Sequence, residues 1–230
     1  DDQFDAVADQ TVSVSTTDDY VAGFTVSETE GSTGVDESGD TDIITVVLNA
    51  QPASDVVITV TSSDTGEATV TSSLTFTSAN WDTAQNVTVT GVDDDLVDGT
   101  VNSTVTIAVD DASSDDDFDA VADQTVSVST TDDDVAGFTV TETEGSTGVT
   151  EAGSTDILNV VLNSQPDSDV VLTISSSDTG ESSVHGSTVS NNTITFTSAN
   201  WDTPQAFTVT GVDDDLVDGT VTSTVTISVV

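Results

Sequence analysis

The sequence predicts an all-β protein built of tandem β-sandwich domains, and three observations carry that prediction. Val, Ile and Leu alternate with Thr and Ser through stretch after stretch, as in Asn86-Val87-Thr88-Val89-Thr90 and Thr104-Val105-Thr106-Ile107. A period of two is that of a half-buried strand, and Val and Thr both suit a pleated surface. The chain also repeats itself: Phe4 to Val14 returns at Phe118 to Val128, and Gly23 to Val26 at Gly137 to Val140, both 114 residues on. Finally, Gly- and Asp-rich breaks separate the alternating stretches at the short intervals of a sandwich.

One complete repeat spans residues 21–134. Its alternation predicts strands near 22–27, 41–48, 55–61, 68–76, 85–90, 101–109 and 124–130. Pro52 falls in the turn from Asn49 to Ser54, where proline presets the backbone. Trp81, at a strand end after Ser78-Ala79-Asn80, is expected to cap the core between the sheets. Residues 1–20 match 115–134 and read as the C-terminal strand of a preceding repeat. Residues 135–230 read as a second β-sandwich repeat without its last strand, the counterpart of Thr125-Val126-Ser127-Val128. Thr75 to Trp81 returns at Thr195 to Trp201, 120 residues on. The extra residues lie between Glu181 and Ile194, in a polar surface loop that tolerates insertion. This phase has two readings. One is a window on a long array; the other is a strand of one chain completing the open sandwich of the next.

The charge excludes several functions. The chain has 43 acidic side chains, no lysine, no arginine and a formal net charge of −43. Apart from the N-terminal amine no internal cation is available, so each carboxylate must be solvated, hydrogen-bonded or neutralised from outside. Self-repulsion on this scale opposes compaction. Nucleic acid and anionic membrane are excluded as direct partners, because both require basic patches. There is no cysteine and hence no disulfide or thiolate site. No apolar run reaches bilayer-spanning length, and no signal peptide opens the sequence, which reads as an internal piece of something longer.

One decapeptide, Gly91-Val92-Asp93-Asp94-Asp95-Leu96-Val97-Asp98-Gly99-Thr100, recurs letter for letter at Gly211 to Thr220. Alternating strands flank each copy, so each is an acidic loop gathering negative charge at one end of a sandwich. Several carboxylates converging from separate loops are what Ca2+ requires, with its six to eight oxygen ligands. Mg2+ needs fewer and keeps its waters; zinc and copper want His or Cys. The single histidine, His185, is expected to be a solvated loop residue, and scattered acids such as Asp42 and Asp167 to be solvated surface. The second acidic stretch, Asp110 to Asp119, reads either as another Ca2+ loop or as a solvated one, with Phe118 packing it onto the domain.

The run Val35-Asp36-Glu37-Ser38-Gly39, then Leu74-Thr75-Phe76, Val87-Thr88-Val89, Asp93 to Gly99, and Thr125 to Val128 with Asp132-Asp133-Asp134, resembles the Calx-β domain. It is also similar to the Ig-like repeats of giant bacterial surface adhesins. Ser78-Ala79-Asn80-Trp81-Asp82 departs from the Pro-Gly-Glu turn usual in Calx-β domains, and so points to the bacterial repeats. The resemblance implies tandem Ig-like (Calx-β-like) Greek-key sandwiches with Ca2+ at the inter-domain junctions. Carried over, its ligands are Glu37, Asp64, Asp93, Asp94, Asp95, Asp98, Asp132, Asp133 and Asp134. In the second repeat they are Glu151, Asp178, Asp213, Asp214, Asp215 and Asp218, while Asp18 and Asp19 belong to the preceding repeat.

Catalysis finds no support: no Cys, Lys or Arg is present and no serine has a base beside it. The expected function is that of a Ca2+-stiffened structural repeat in an extracellular stalk, adhesin or filament at a cell surface. Its partners would be neighbouring repeats of the same chain or identical chains. One alternative is a fibre or matrix assembled by strand donation. Another is a module holding a glycan or protein ligand in the loops opposite the metal end.

Overall fold

The computed structural model describes Gln3, Asp5 and residues 7–185 and 192–230. The loop from 186 to 191, including the asparagine of the sequon Asn191-Asn192-Thr193, lies outside the described residues.

The first repeat contributes nine strands: β1 (Phe24–Glu28), β2 (Thr33–Asp36), β3 (Thr41–Leu48), β4 (Val56–Ser62), β5 (Ala68–Val70), β6 (Ser73–Phe76), β7 (Gln85–Gly91), β8 (Val101–Val109) and β9 (Gln124–Thr131). One sheet runs β1-β3-β7-β5 and the other β2-β9-β8-β4-β6. All pairs are antiparallel except β2 with β9. The β3–β4 and β7–β8 connections pass from one sheet to the other, which makes an immunoglobulin-like Greek-key sandwich.

The alternation explains the core. Ile44, Val46 and Leu48 on β3 and Val87 and Val89 on β7 bury one face of the first sheet. Val56, Ile58 and Val60 on β4, Val105 and Ile107 on β8, and Val126 and Val128 on β9 bury the facing side of the second. Phe24, Phe76 and Phe118 complete the cluster, with Trp81 half-buried against it, as a core cap should be. The intervening Thr and Ser face outward or lie at the margins.

Two local features depart from the alternation reading. The stretch 68–76 is two strands in opposite sheets, β5 against β7 and β6 against β4. Between them the Thr71 N–H donates to Thr88 O at 3.0 Å and Ser72 O accepts the Val60 N–H at 2.9 Å, so the chain changes sheets in two residues. The other is β2, four residues whose partner β9 lies almost a whole repeat away in sequence.

The second repeat has β10 (Phe138–Glu142), β11 (Thr155–Leu162), β12 (Val170–Ser176), β13 (Ser182–His185), β14 (Thr193–Phe196), β15 (Gln205–Gly211) and β16 (Val225–Val229). Its sheets run β10-β11-β15-β13 and β14-β12-β16. The inserted loop thus joins β13 to β14, at the place where β5 and β6 change sheets. His185 ends β13, paired with Thr208, rather than lying in the loop, and its side chain is exposed. Among the described residues no helix is long and apolar enough to cross a membrane.

Phe76 and its counterpart Phe196 are both fully buried. Replacing Phe76 with Ala is expected to cost about 3–5 kcal/mol of stability, measured as a fall in the urea midpoint at fixed calcium concentration.

Candidate metal centre

The acidic loop closes over one end of the first sandwich. β2 runs beside β9, and the Glu37 N–H extends that ladder by one bond, to Thr131 O at 3.1 Å. Glu37 is thereby locked at the sheet end and is only 1% exposed. From the other side comes the end of β7. A Cβ on Gly91 would stand 1.9 Å from Asp36 O, so only glycine lets the two backbones approach this closely beside Glu37. Glu67, just before β5, is held by its carbonyl, which accepts the Val92 N–H at 2.9 Å. The loop itself is folded by Asp94, whose carboxylate takes the Leu96 N–H at 2.7 Å, and turns at Gly99, where φ is 77°.

These constraints bring five carboxylates together. Glu37, Asp94 and Asp134 place ligand oxygens within 4.8 Å of one another; Glu67, Asp94 and Asp98 do the same, and Asp94 is common to both groups. Both carboxylate oxygens of Glu37, Oε2 of Glu67 and Oδ2 of Asp134 are buried with no hydrogen-bond partner. Leaving a buried ionised oxygen unpaired is among the most costly arrangements a fold can hold. Burial, and then the charges of Asp94, Asp132, Asp98 and Glu67, push the Glu37 carboxyl up to about 7. Burial also raises Glu67, Asp98 and Asp134, with neighbouring acids adding to it. Each residue of the cluster offers oxygen only, and no cation of the chain stands among them. This set fits a hard divalent ion.

Glu67 escaped the sequence reading. The signal was present, since Asp64-Thr65-Gly66-Glu67 has a counterpart in Asp178-Thr179-Gly180-Glu181. Glu181 indeed forms the second repeat's triad, with Asp214 and Asp218.

The remaining expected ligands stand outside these triads. Asp64 and Asp178 accept the N–H groups of Gly66 and Gly180, each at 3.0 Å, and so shape the turns before Glu67 and Glu181. Asp132 accepts the Gly99 N–H at 2.8 Å and the Asp134 N–H at 2.7 Å, which ties the acidic loop to the linker between the repeats. Asp95 contributes its carbonyl, which accepts the Gln165 N–H of the second repeat at 2.7 Å. Asp93, Asp133, Asp213 and Asp215 are exposed. Glu151, the counterpart of Glu37, is half-buried, with no β9 equivalent beside it. Asp18 and Asp19 are exposed, Asp18 accepting the Tyr20 N–H at 3.0 Å.

Two acidic features prove to be hydrogen-bond fixtures. Asp115 accepts the N–H groups of Ala53, Ser54 and Asp117, clamping the 110–119 stretch to the β3–β4 turn, and no metal triad forms there among the described residues. Phe118 is buried, as expected. Asp42 is no bare surface charge either: it accepts from Thr29 Oγ1, Gly34 N–H and Ile43 N–H. Burial alone would raise its carboxyl, but these bonds hold it below the usual range. Asp156 repeats the arrangement in the second repeat with Thr143, Gly148 and Ile157.

No protein-family model and no curated protein matches the chain. Solved structures similar to it include the calcium binding domain CBD12 of CALX1.1, at 16% identity over 90% of this chain and 79% of that one, with a TM-score of 0.37. CBD12 from CALX1.2 is similar at 16% identity over 88% of this chain and 79% of that one, with a TM-score of 0.35. Domains 5-6 of the S-layer protein SbsC are similar at 18% identity over 91% of each chain, with a TM-score of 0.33. At such scores the likeness carries no argument about the site or its ligand.

The raised Glu37 carboxyl has a measurable consequence in chelator. Between pH 4.5, its ordinary value, and about 7 the folded chain keeps a proton that the unfolded chain has released. Stability therefore falls as pH rises through that window. In thermal melts without metal, Glu37→Gln is expected to flatten this fall and to melt higher than the parent at pH 8.

Proposed function

We propose that the chain is a calcium-binding structural segment of an extracellular stalk, adhesin or filament, in which Ca2+ at the junction between repeats stiffens the joint. The observation that supports this most is the group of buried, unpartnered oxygens of Glu37, Glu67 and Asp134. A chain with no lysine or arginine has no cation of its own to place there. Convergence of many carboxylates favours Ca2+ over Mg2+, and oxygen-only donors disfavour zinc and copper.

The site lies where one sandwich leads into the next. Asp134 belongs to the linker, Asp94 to the loop that meets the second repeat, and Glu37 to the sheet end. Leu96 and Gln165 form an isolated parallel bridge across the junction, reinforced by the Asp95 carbonyl. A bound Ca2+ supplies positive charge to these carboxylates. In its absence they repel one another and loosen the loop that forms the joint. Extracellular fluids suit this design, because calcium-binding modules outside cells work at dissociation constants of about 10⁻⁴–10⁻³ M. The partners in this reading are neighbouring repeats of the same chain or of identical chains, and the role is structural, not catalytic.

Free Ca2+ at a hundred times its dissociation constant adds about 2.7 kcal/mol per site. Thermal melts and X-ray scattering in calcium and then in chelator are expected to show a lower melting temperature and a less extended particle once calcium is removed. Glu37→Gln with Glu67→Gln is expected to abolish most of the calcium-dependent rise in melting temperature. Identical melts and scattering profiles with and without calcium would defeat the reading.

A further inference from the structure

The first and second repeats differ in structure at places where their sequences barely differ. Residues 101–104 begin β8, whereas their counterparts 221–224 belong to no strand. Thr33–Asp36 is β2, whereas its counterpart 147–150 is not a strand. Both segments flank one slot, the slot that β9 fills in the first repeat by pairing with β8 on one side and β2 on the other. In the second repeat β16 pairs only with β12, so its other edge has no partner among the described residues.

A strand of matching sequence lies elsewhere in the same polypeptide. Residues 4–19 repeat residues 118–133 without a difference, so Gln10 to Thr17 is β9 over again. Yet residues 7–20 belong to no sheet, and Val12 and Val14 are each 85% exposed. Their equivalents on β9, Val126 and Val128, are 5% and 0% exposed. An exposed apolar strand and an open sheet edge of matching pattern are complementary.

The junction shows the same free halves. Within the chain, Leu96 of the acidic loop meets Gln165 of the second repeat. The identical loop of the second repeat leaves Leu216 68% exposed, and Gln51, the counterpart of Gln165, is exposed as well. Gln51 and Pro52 line a cleft of about 770 Å3 with Tyr20 and Trp81.

We propose that residues 10–17 of one copy add to the free edge of β16 in a second copy, joining the chains head to tail. Carrying over the β8–β9 register sets Val12 opposite Val225, Val14 opposite Ser223 and Thr16 opposite Val221. Carrying over β2–β9 sets Val14 beside Thr147 and Thr16 beside Val149. Asp18 then stands where Asp132 does. It already holds the Tyr20 N–H, as Asp132 holds that of Asp134, and lacks only the Gly219 counterpart of the Gly99 bond. The Asp215-Leu216 loop of the acceptor faces the Gln51-Pro52 corner of the donor, reproducing the internal joint. The contact uses different surfaces on the two copies, so it propagates into a filament. Strand pairing is a main-chain interaction independent of the calcium reading; only neutralisation of the new joint rests on that reading.

Sedimentation of the 230-residue chain in calcium tests this, beside the double variant Val12→Asp/Val14→Asp. Both sites are solvent-exposed in the isolated chain, so the variant is expected to melt as the parent does. The parent is expected to gain mass with concentration, and the variant to remain monomeric. A peptide of residues 7–20 is expected to bind the variant one to one and to cap assembly of the parent. A parent that stays monomeric, a variant that assembles like the parent, or a peptide that binds neither would overturn the proposal. A calcium-dependent rise in the variant's melting temperature would show the metal reading standing on its own.

Discussion

A polypeptide with 43 carboxylates and no basic side chain besides one histidine has two means of keeping acidic groups in a folded structure. It can give them backbone N–H donors, or it can take a cation from the medium. Both means are visible here, and they sort the acidic residues into two populations. Asp42, Asp115, Asp132 and Asp156 each accept two or more hydrogen bonds and act as fasteners of turns. Glu37, Glu67 and Asp134 are buried with oxygens that accept none. Hydrogen bonds of the first kind favour the ionised form, and burial of the second kind disfavours it. The fold tolerates the second group because it is placed where an outside ion restores the balance.

The location of that group follows from the sandwich. Greek-key connections carry β7 to β8 and β9 into the next repeat at the same end, so the acidic loop and the linker acids meet there. Gly91 admits the close backbone approach and Gly99 the left-handed turn, so the loop folds back over Glu37. Charge at this end then bears on the orientation of the neighbouring repeat, through the Asp95–Gln165 hydrogen bond. Local electrostatics and long-range shape are coupled at a single loop.

Much of this was legible in the sequence, and for a physical reason. Strands buried on one face announce themselves by period two, so β3 and β8 fall on 41–48 and 101–109 as the alternation predicts. Short strands do not: β2 has four residues and a distant parallel partner, and β5 and β6 share one alternating run that changes sheets at Thr71 and Ser72. The acidic decapeptide pointed to the right end of the domain, but not to which oxygens converge. Asp64 and Glu67 are three residues apart. The first turns back onto Gly66 while the second enters the core margin, a difference made by the β5 turn and not by composition. Likewise Asp115 resembles a ligand in sequence and serves as a clamp, because the β3–β4 turn presents two N–H groups to it.

The account rests on a positive ion meeting the carboxylates that the chain leaves unsatisfied. Diffraction from crystals grown in calcium, with an anomalous-difference map, reads this directly. The account predicts a peak bounded by the carboxylates of Glu37, Asp94 and Asp134. A featureless map there, with Glu37 protonated or hydrogen-bonded to water, would contradict it.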